Sequence, residues 1–111
     1  MATYSAAIRK DGDSKGEVIG VLGIFFDWQA QSQAVVDSIR LADDEKARTR
    51  CLLLDSHHRV IASSDGHGIL MQIISLQTEQ KNAGCYVDGD GNTIGFALTP
   101  GYETYQGLGW Y

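Results

Sequence analysis

Arg50-Cys51-Leu52-Leu53-Leu54-Asp55-Ser56-His57-His58-Arg59-Val60-Ile61-Ala62-Ser63 decides the fold class. Two short apolar runs rich in β-formers flank four polar residues suited to a turn, the pattern of a hairpin. The apolar runs fix its register, because a slip of one residue would move every side chain to the other face. Before it, Asp43, Asp44 and Glu45 precede Lys46, Arg48 and Arg50, the order that a helical turn prefers for its dipole. This predicts a short helix or turn within residues 41–49.

Further toward the N-terminus, Trp28, Ser32, Val35, Val36 and Ile39 recur on one helical face, and Asp27 is placed to cap it. A connecting helical region over 28–49 follows. Residues 1–27 read as another hairpin: Tyr4 to Arg9, a turn at Lys10-Asp11-Gly12-Asp13-Ser14-Lys15-Gly16, and Glu17 to Phe26. The second strand is nearly continuous in apolar residues, which predicts a central strand buried on both faces.

After the central hairpin, Ile69, Leu70, Ile73, Ile74 and Leu76 suggest a helix over about 68–77, packed on the sheet. Cys85-Tyr86-Val87 and Thr93 to Leu98 surround Asp88-Gly89-Asp90-Gly91-Asn92, a third hairpin. An aromatic closing stretch runs from Tyr102 to Tyr111. Successive hairpins with helices between them predict an antiparallel sheet and the α+β class, with 50–111 as its core.

The 111 residues suffice for one domain, and the 43% hydrophobic content predicts that it folds. A formal charge of −5 with no cluster of Lys and Arg leaves nothing to neutralise a phosphate backbone, so no nucleic-acid or direct lipid binding is expected. No run approaches the apolar length of a spanning helix, and the first residues lack the order of a signal peptide. Cys51 and Cys85 each lie in an apolar stretch, where a cysteine behaves as a small buried hydrophobe; a disulfide is the lesser alternative.

Tyr4-Ser5-Ala6-Ala7-Ile8-Arg9, the Asp/Gly turn and Gly16-Glu17-Val18-Ile19-Gly20-Val21-Leu22-Gly23 together resemble paired strands that close a Cache-type, PAS-like module. Phe26-Asp27-Trp28 looks like the connector after it. Leu52-Leu53-Leu54-Asp55 with Arg59 to Gly66 is similar to the opening hairpin of a membrane-proximal module, and Phe96 to Tyr105 with Gly107 to Trp110 looks like its closing strands. In order, these phrases resemble the sensor region of bacterial methyl-accepting chemotaxis proteins. His57-His58 departs from that pattern where the family usually carries a turn glycine. The arginine and aromatic cluster of amino-acid-binding double Cache receptors has no match.

The resemblance implies a non-catalytic sensory module that binds a small ligand or relays its binding to a cytoplasmic signalling domain. It further implies a homodimer, an extracytoplasmic setting, and membrane anchoring only through segments outside these residues. Histidine kinases and diguanylate cyclases carry alternative outputs for such a module. A structural dimerisation module without a ligand, pairing through the Trp28 to Ile39 face, is the rival from another class. Separated from its module, the first hairpin would expose apolar edges, so self-association through it, or docking on the remaining sheet, is expected.

Catalytic candidates are Ser63, Ser64, Asp65, His57, His58 and His67, all in hairpin turns or loop ends where polar residues belong anyway. No nucleophile elbow accompanies them, and no catalytic residue is assigned. Zinc could use the histidines with Cys51 and Cys85, but no ligand spacing supports a site. Asp11-x-Asp13 and Asp88-x-Asp90-x-Asn92 suggest calcium; Leu22 and Thr99 stand where the bidentate glutamate belongs, so both are read as turns. Gly20-x-x-Gly23 and Gly107-x-Gly109 fail the dinucleotide fingerprint, so no metal or cofactor is assigned. Tyr86, Phe96, Tyr102, Tyr105 and Trp110 are the ligand-binding candidates, since aromatics with polar handles can line a small cavity. The same rings could instead complete the core. A binding cavity would lie between the sheet and the helix of 68–77, converging on Tyr86, Phe96 and Tyr102.

Overall fold

The computed structural model, which describes residues 2–101 and 106–111, contains antiparallel strand pairs and two α-helices, an α+β arrangement. The chain divides into two compact units, Met1–Gln31 and Ser32–Tyr111.

In the first unit, β1 (Ala2–Arg9) pairs with β2 (Val18–Phe26), from Ala2 opposite Phe26 to a bulge at Ile8/Arg9. The turn holds Asp11 and Gly12 at φ 55° and 71°, and the Arg9 guanidinium donates to the Gly16 carbonyl across it at 2.8 Å. The expected burial of β2 on both faces is not found. Ile19, Val21, Leu22, Ile24 and Phe25 are all exposed: among the described residues β2 pairs with β1 alone, and a two-stranded ribbon does not by itself bury either face.

Helix α1 (Trp28–Asp37) starts where predicted: the Asp27 carboxylate accepts from the Gln29 N–H at 3.0 Å, and the Asp27 carbonyl accepts from Gln31. Of the predicted face, Ser32 and Val36 are buried while Val35 is exposed. Helix α2 (Asp43–Lys46) is the short acidic-to-basic turn; the Glu45 carboxylate reaches back to the Ala42 N–H at 2.9 Å.

The central hairpin pairs β3 (Leu52–Leu54) with β4 (Val60–Ser63). Asp55 closes it: one carboxylate oxygen accepts from the N–H groups of His57 and Arg59, the other from Arg59 Nε. His58 takes φ 59°, a left-handed position in the turn. Leu54, Val60, Ala62 and Ser63 are buried, and with Val36 they make the core.

No helix forms over 68–77. Gly66, Gly68 and Leu70 all have positive φ, and the following residues lie extended along the free edge of β4. There Val60 donates to Gln72, Leu70 donates to the Val60 carbonyl, Ile74 donates to His58, and Arg59 bridges Ile73. A helix would leave those β4 groups without these partners, at a cost that outweighs an apolar spacing equally readable as helix or turn. Leu70 at φ 61° is 65% exposed, so Leu70→Gly relieves a left-handed strain of about 1–2 kcal/mol against an unfolded-state entropy cost of about 0.4–1 kcal/mol. Urea titration should show a gain of about 0.5–1 kcal/mol by that difference; a loss of the size expected inside a helix would contradict the turn.

The third hairpin pairs β5 (Ala83–Val87) with β6 (Thr93–Ala97) around an Asp88 carboxylate that accepts from the N–H groups of Asp90 and Asn92 and from the Asn92 amide. The Asp-rich segment is thus the hairpin turn that the sequence predicted. Beyond β6, Thr99 donates to the Trp110 carbonyl at 2.7 Å, and Tyr111 exchanges both backbone bonds with Leu54 at 2.6 and 3.0 Å. The closing segment therefore lies between the second and third hairpins, in the spatial order β4, β3, residues 110–111, the continuation of β6, β5. Gly107 has φ 80°, and a Cβ there would meet the Thr99 carbonyl oxygen at 3.3 Å, so this return of the chain requires glycine.

Candidate functional site

Residue Arg50, at the entry to β3, organises the side chains around the start of the central hairpin. Its Nε pairs with Asp65 at 2.8 Å, one terminal nitrogen donates to the His67 carbonyl at 2.7 Å, and the other reaches the Gln72 amide oxygen at 3.1 Å. The Ser63 hydroxyl also donates to Asp65, as does the His67 N–H at 2.9 Å. These bonds hold the Asp65 carboxyl down to about 2 from an ordinary 3.8, the Ser63 hydroxyl contributing most, then the His67 N–H and Arg50.

A carboxyl whose value is depressed on folding stabilises the fold fully above its ordinary value, and that stability is lost as pH falls through the folded value. Asp65→Asn should therefore melt below the wild type at pH 6, with the gap closing between pH 3.8 and about 2. Thermal melts across that range decide it; a gap unchanged down to pH 2 would remove Asp65 from the acid response.

The same constellation contains three of the catalytic candidates, Ser63, Asp65 and His67. Ser63 is fully buried and its hydroxyl donates to the Asp65 carboxylate, while the His67 ring bonds to the Asp65 carbonyl. Ser64 is exposed and accepts from the Cys51 N–H at 3.0 Å. His57 and His58 remain in the hairpin turn. Among the described residues no three His, Cys, Asp or Glu side chains converge as a metal site requires.

Of the predicted ligand-binding residues, Tyr86 and Phe96 meet across β5 and β6 with ring centroids 6.4 Å apart. Phe96 lies 6.3 Å from Tyr111, which in turn stands edge-on to His58 at 5.4 Å. Tyr111 and His58 are members of this aromatic row that sequence reasoning did not assign to it. The signal was distant pairing, since the row exists because the closing segment returns to β3. Trp110 precedes Tyr111 on that segment, half-buried; Tyr102 and Tyr105 lie outside the described residues.

The recess beside Tyr86 and Phe96 holds about 80 Å3, bounded by Gln77, Thr78, Glu79, Lys81, Gly84 and Cys85. That is room for two or three waters, well below the roughly 300 Å3 at which ligand pockets begin. Because 68–77 is not helical, the cavity expected between that helix and the sheet is not found among the described residues, which do not include Tyr102. The Tyr86 hydroxyl instead accepts from the Gln77 N–H at 3.3 Å, anchoring the extended segment.

The larger concavity lies elsewhere in the second unit. An open concavity of about 580 Å3 is bounded by the end of α1, the α2 turn, the entry to β3 and the end of β4, with Val36, Ile39, Leu41 and Cys51 as apolar wall and Lys46, Arg48, Arg50, Thr49, Asp37, Ser64 and Asp65 as polar wall. Both cysteines are free thiols: Cys51 is half-buried, which pushes its thiol up, and Cys85 is exposed, contrary to the buried position expected for it. No described helix is long and apolar enough to cross a membrane. No family model matches this chain, and neither a curated protein nor a solved structure does.

Proposed function

We propose that the chain is a non-catalytic sensory module of the PAS-like Cache kind that bacterial chemoreceptors carry, binding a small ligand or relaying its binding to a cytoplasmic signalling domain. The observation that carries this reading is the closure of the second unit, in which Tyr111 exchanges both backbone bonds with Leu54 of the opening hairpin. Opening and closing phrases, assigned separately on the resemblance, are thereby neighbours. The closure also supplies a mechanical route. Residues Arg50 and Cys51 enter β3 from the wall of the larger concavity, and three residues on Leu54 grips the closing segment. A ligand that prefers one packing of β3 would bias the segment that leaves it. On this reading the module is extracytoplasmic, anchored through segments outside these residues, with a chemoreceptor, histidine-kinase or diguanylate-cyclase output.

The test is thermal stability of the whole chain against amino acids, organic acids, amines and purines. A compound that binds only the folded state, at about 100 times its dissociation constant, adds about 2.7 kcal/mol. A shift confined to one chemical class supports the sensory reading; a well-folded chain that no compound stabilises would overturn it as a ligand binder.

A second reading, self-association as a homodimer, is favoured by the exposed apolar ribbon of β1 and β2. In contrast to the rival that pairs through α1, this reading places the contact on the hairpin, because Val36 and Ser32 of α1 are already buried.

A further inference from the structure

We propose that the 580 Å3 concavity between α1, α2 and the entry to β3 is the ligand site of this module, and that it takes small organic anions with an apolar body, carboxylates above all. This deepens the sensory reading and rests on it. The volume lies within the roughly 300–1,000 Å3 range of small-molecule sites, and the wall supplies the usual pairing of apolar surface with a few convergent polar groups.

The choice of ligand charge follows from which wall groups are already satisfied. Of the two acids, Asp65 is held by Ser63, His67 and Arg50, and Asp37 accepts one bond from the Gln33 amide at 2.9 Å. Arg50 is spent in the same way, with all three of its bonding groups directed at Asp65, His67 and Gln72. The remaining cations are not. Lys46 forms no ion pair among the described residues, and Arg48 is held by Asp44 alone, through a 3.4 Å pair between side chains that are both about three-quarters exposed and a 3.2 Å bond from its Nε to the Asp44 carbonyl. Such an exposed pair holds its members weakly, so Arg48 can turn to a bound carboxylate and form the bidentate fork that guanidinium favours. In a chain of net charge −5, this cleft has spare positive charge beside Val36, Ile39 and Leu41. A cationic ligand would meet Lys46 and Arg48 with Asp37 as the one lining acid not already paired with a cation.

Cys51 lines the cleft and Cys85 does not, so the two thiols provide a reporter and an internal reference. Iodoacetamide alkylation of the whole chain, followed at each cysteine by peptide mass spectrometry, is run with phenylacetate or hexanoate and with phenethylamine or hexylamine. The carboxylates should slow alkylation of Cys51 about tenfold at about ten times their dissociation constant, the occupied fraction being protected, and leave Cys85 unchanged. In the Lys46→Gln/Arg48→Gln variant, whose changed side chains are exposed, Cys51 should react at its ligand-free rate with or without carboxylate. Equal protection by the amines, no protection by either carboxylate, or undiminished protection in the double variant would overturn the assignment. A compound from the wider panel that raises the melting temperature without slowing Cys51 leaves the sensory reading standing and removes this site from it. Failure of every compound in both assays removes both.

Discussion

Leu54→Ala should destabilise the second unit by about 2–5 kcal/mol, the cost of truncating a buried leucine in a core that cannot fully collapse around the gap. The core here is small: Val36, Leu54, Val60 and Ala62 are its buried apolar members, with Leu54 only 4% exposed. Leu54 also stands opposite Val60 in the β3–β4 register and carries both backbone bonds to Tyr111. Loss of its side chain therefore loosens the hairpin and the closing segment together. A domain of this size loses about 4–8 °C per kcal/mol, so the melting temperature should fall by at least about 8 °C. Val35→Ala, at an exposed position of α1, should stay within about 0.5 kcal/mol. Because Leu54 and Val60 touch one cluster, Leu54→Ala with Val60→Ala should fall short of the sum of the two single losses. Guanidinium titration of the wild type and the four variants reads all of this; a Leu54→Ala effect no larger than that of Val35→Ala would show that the core does not sit where the structure places it.

How much could be read from the sequence alone depended on whether the deciding partner was near in the chain. The hairpin turns were legible because Asp55 and Asp88 satisfy N–H groups within four residues of themselves, and such local bonds leave a local signature. Helix α1 was legible for the same reason, through Asp27. The stripe at 69–74 misled because its spacing counts apolar residues without their partners. The β4 edge, which claims Leu70, Gln72 and Ile74, lies ten to sixteen residues back in the chain. Gly66 and Gly68 just before the stripe were the available warning, since both take the positive φ that a continuing helix excludes. The larger concavity was illegible for a similar reason, being assembled from 36–51 and the distant pair Ser64 and Asp65. What the sequence did offer was Lys46, Arg48 and Arg50, read only as a helix-end preference. Distinguishing the committed Arg50 from the unpaired Lys46 and the loosely held Arg48 needed the distances. Tyr111 entered the aromatic row by pairing with Leu54, a contact spanning most of the second unit.

Self-association through the first hairpin should be broken by Ile24→Lys. The two faces of the ribbon differ. The register sets Tyr4, Ala6 and Ile8 opposite Ile24, Leu22 and Gly20 on one face, and Thr3, Ser5 and Ala7 opposite Phe25, Gly23 and Val21 on the other. The first face is apolar from both strands, and its Tyr4 and Phe26 rings are already stacked at 5.8 Å, so less side-chain freedom is lost when a partner covers them. Ile24 and Tyr4 are 56% and 57% exposed, a directly paired couple near the middle of that face. A second copy laid on it would bury both, and a lysine at 24 would carry its charge into the centre of the contact. Central interface positions of this kind cost about 2 kcal/mol or more, roughly thirtyfold in the dissociation constant. Sedimentation equilibrium should show the wild-type mass rising with concentration and Ile24→Lys remaining monomeric over the same range, while Val21→Lys, on the opposite face, associates like the wild type. Dissociation by Val21→Lys with Ile24→Lys unaffected would place the contact on the other face, and a wild-type chain that stays monomeric throughout would show that the exposed ribbon does not recruit a copy of itself.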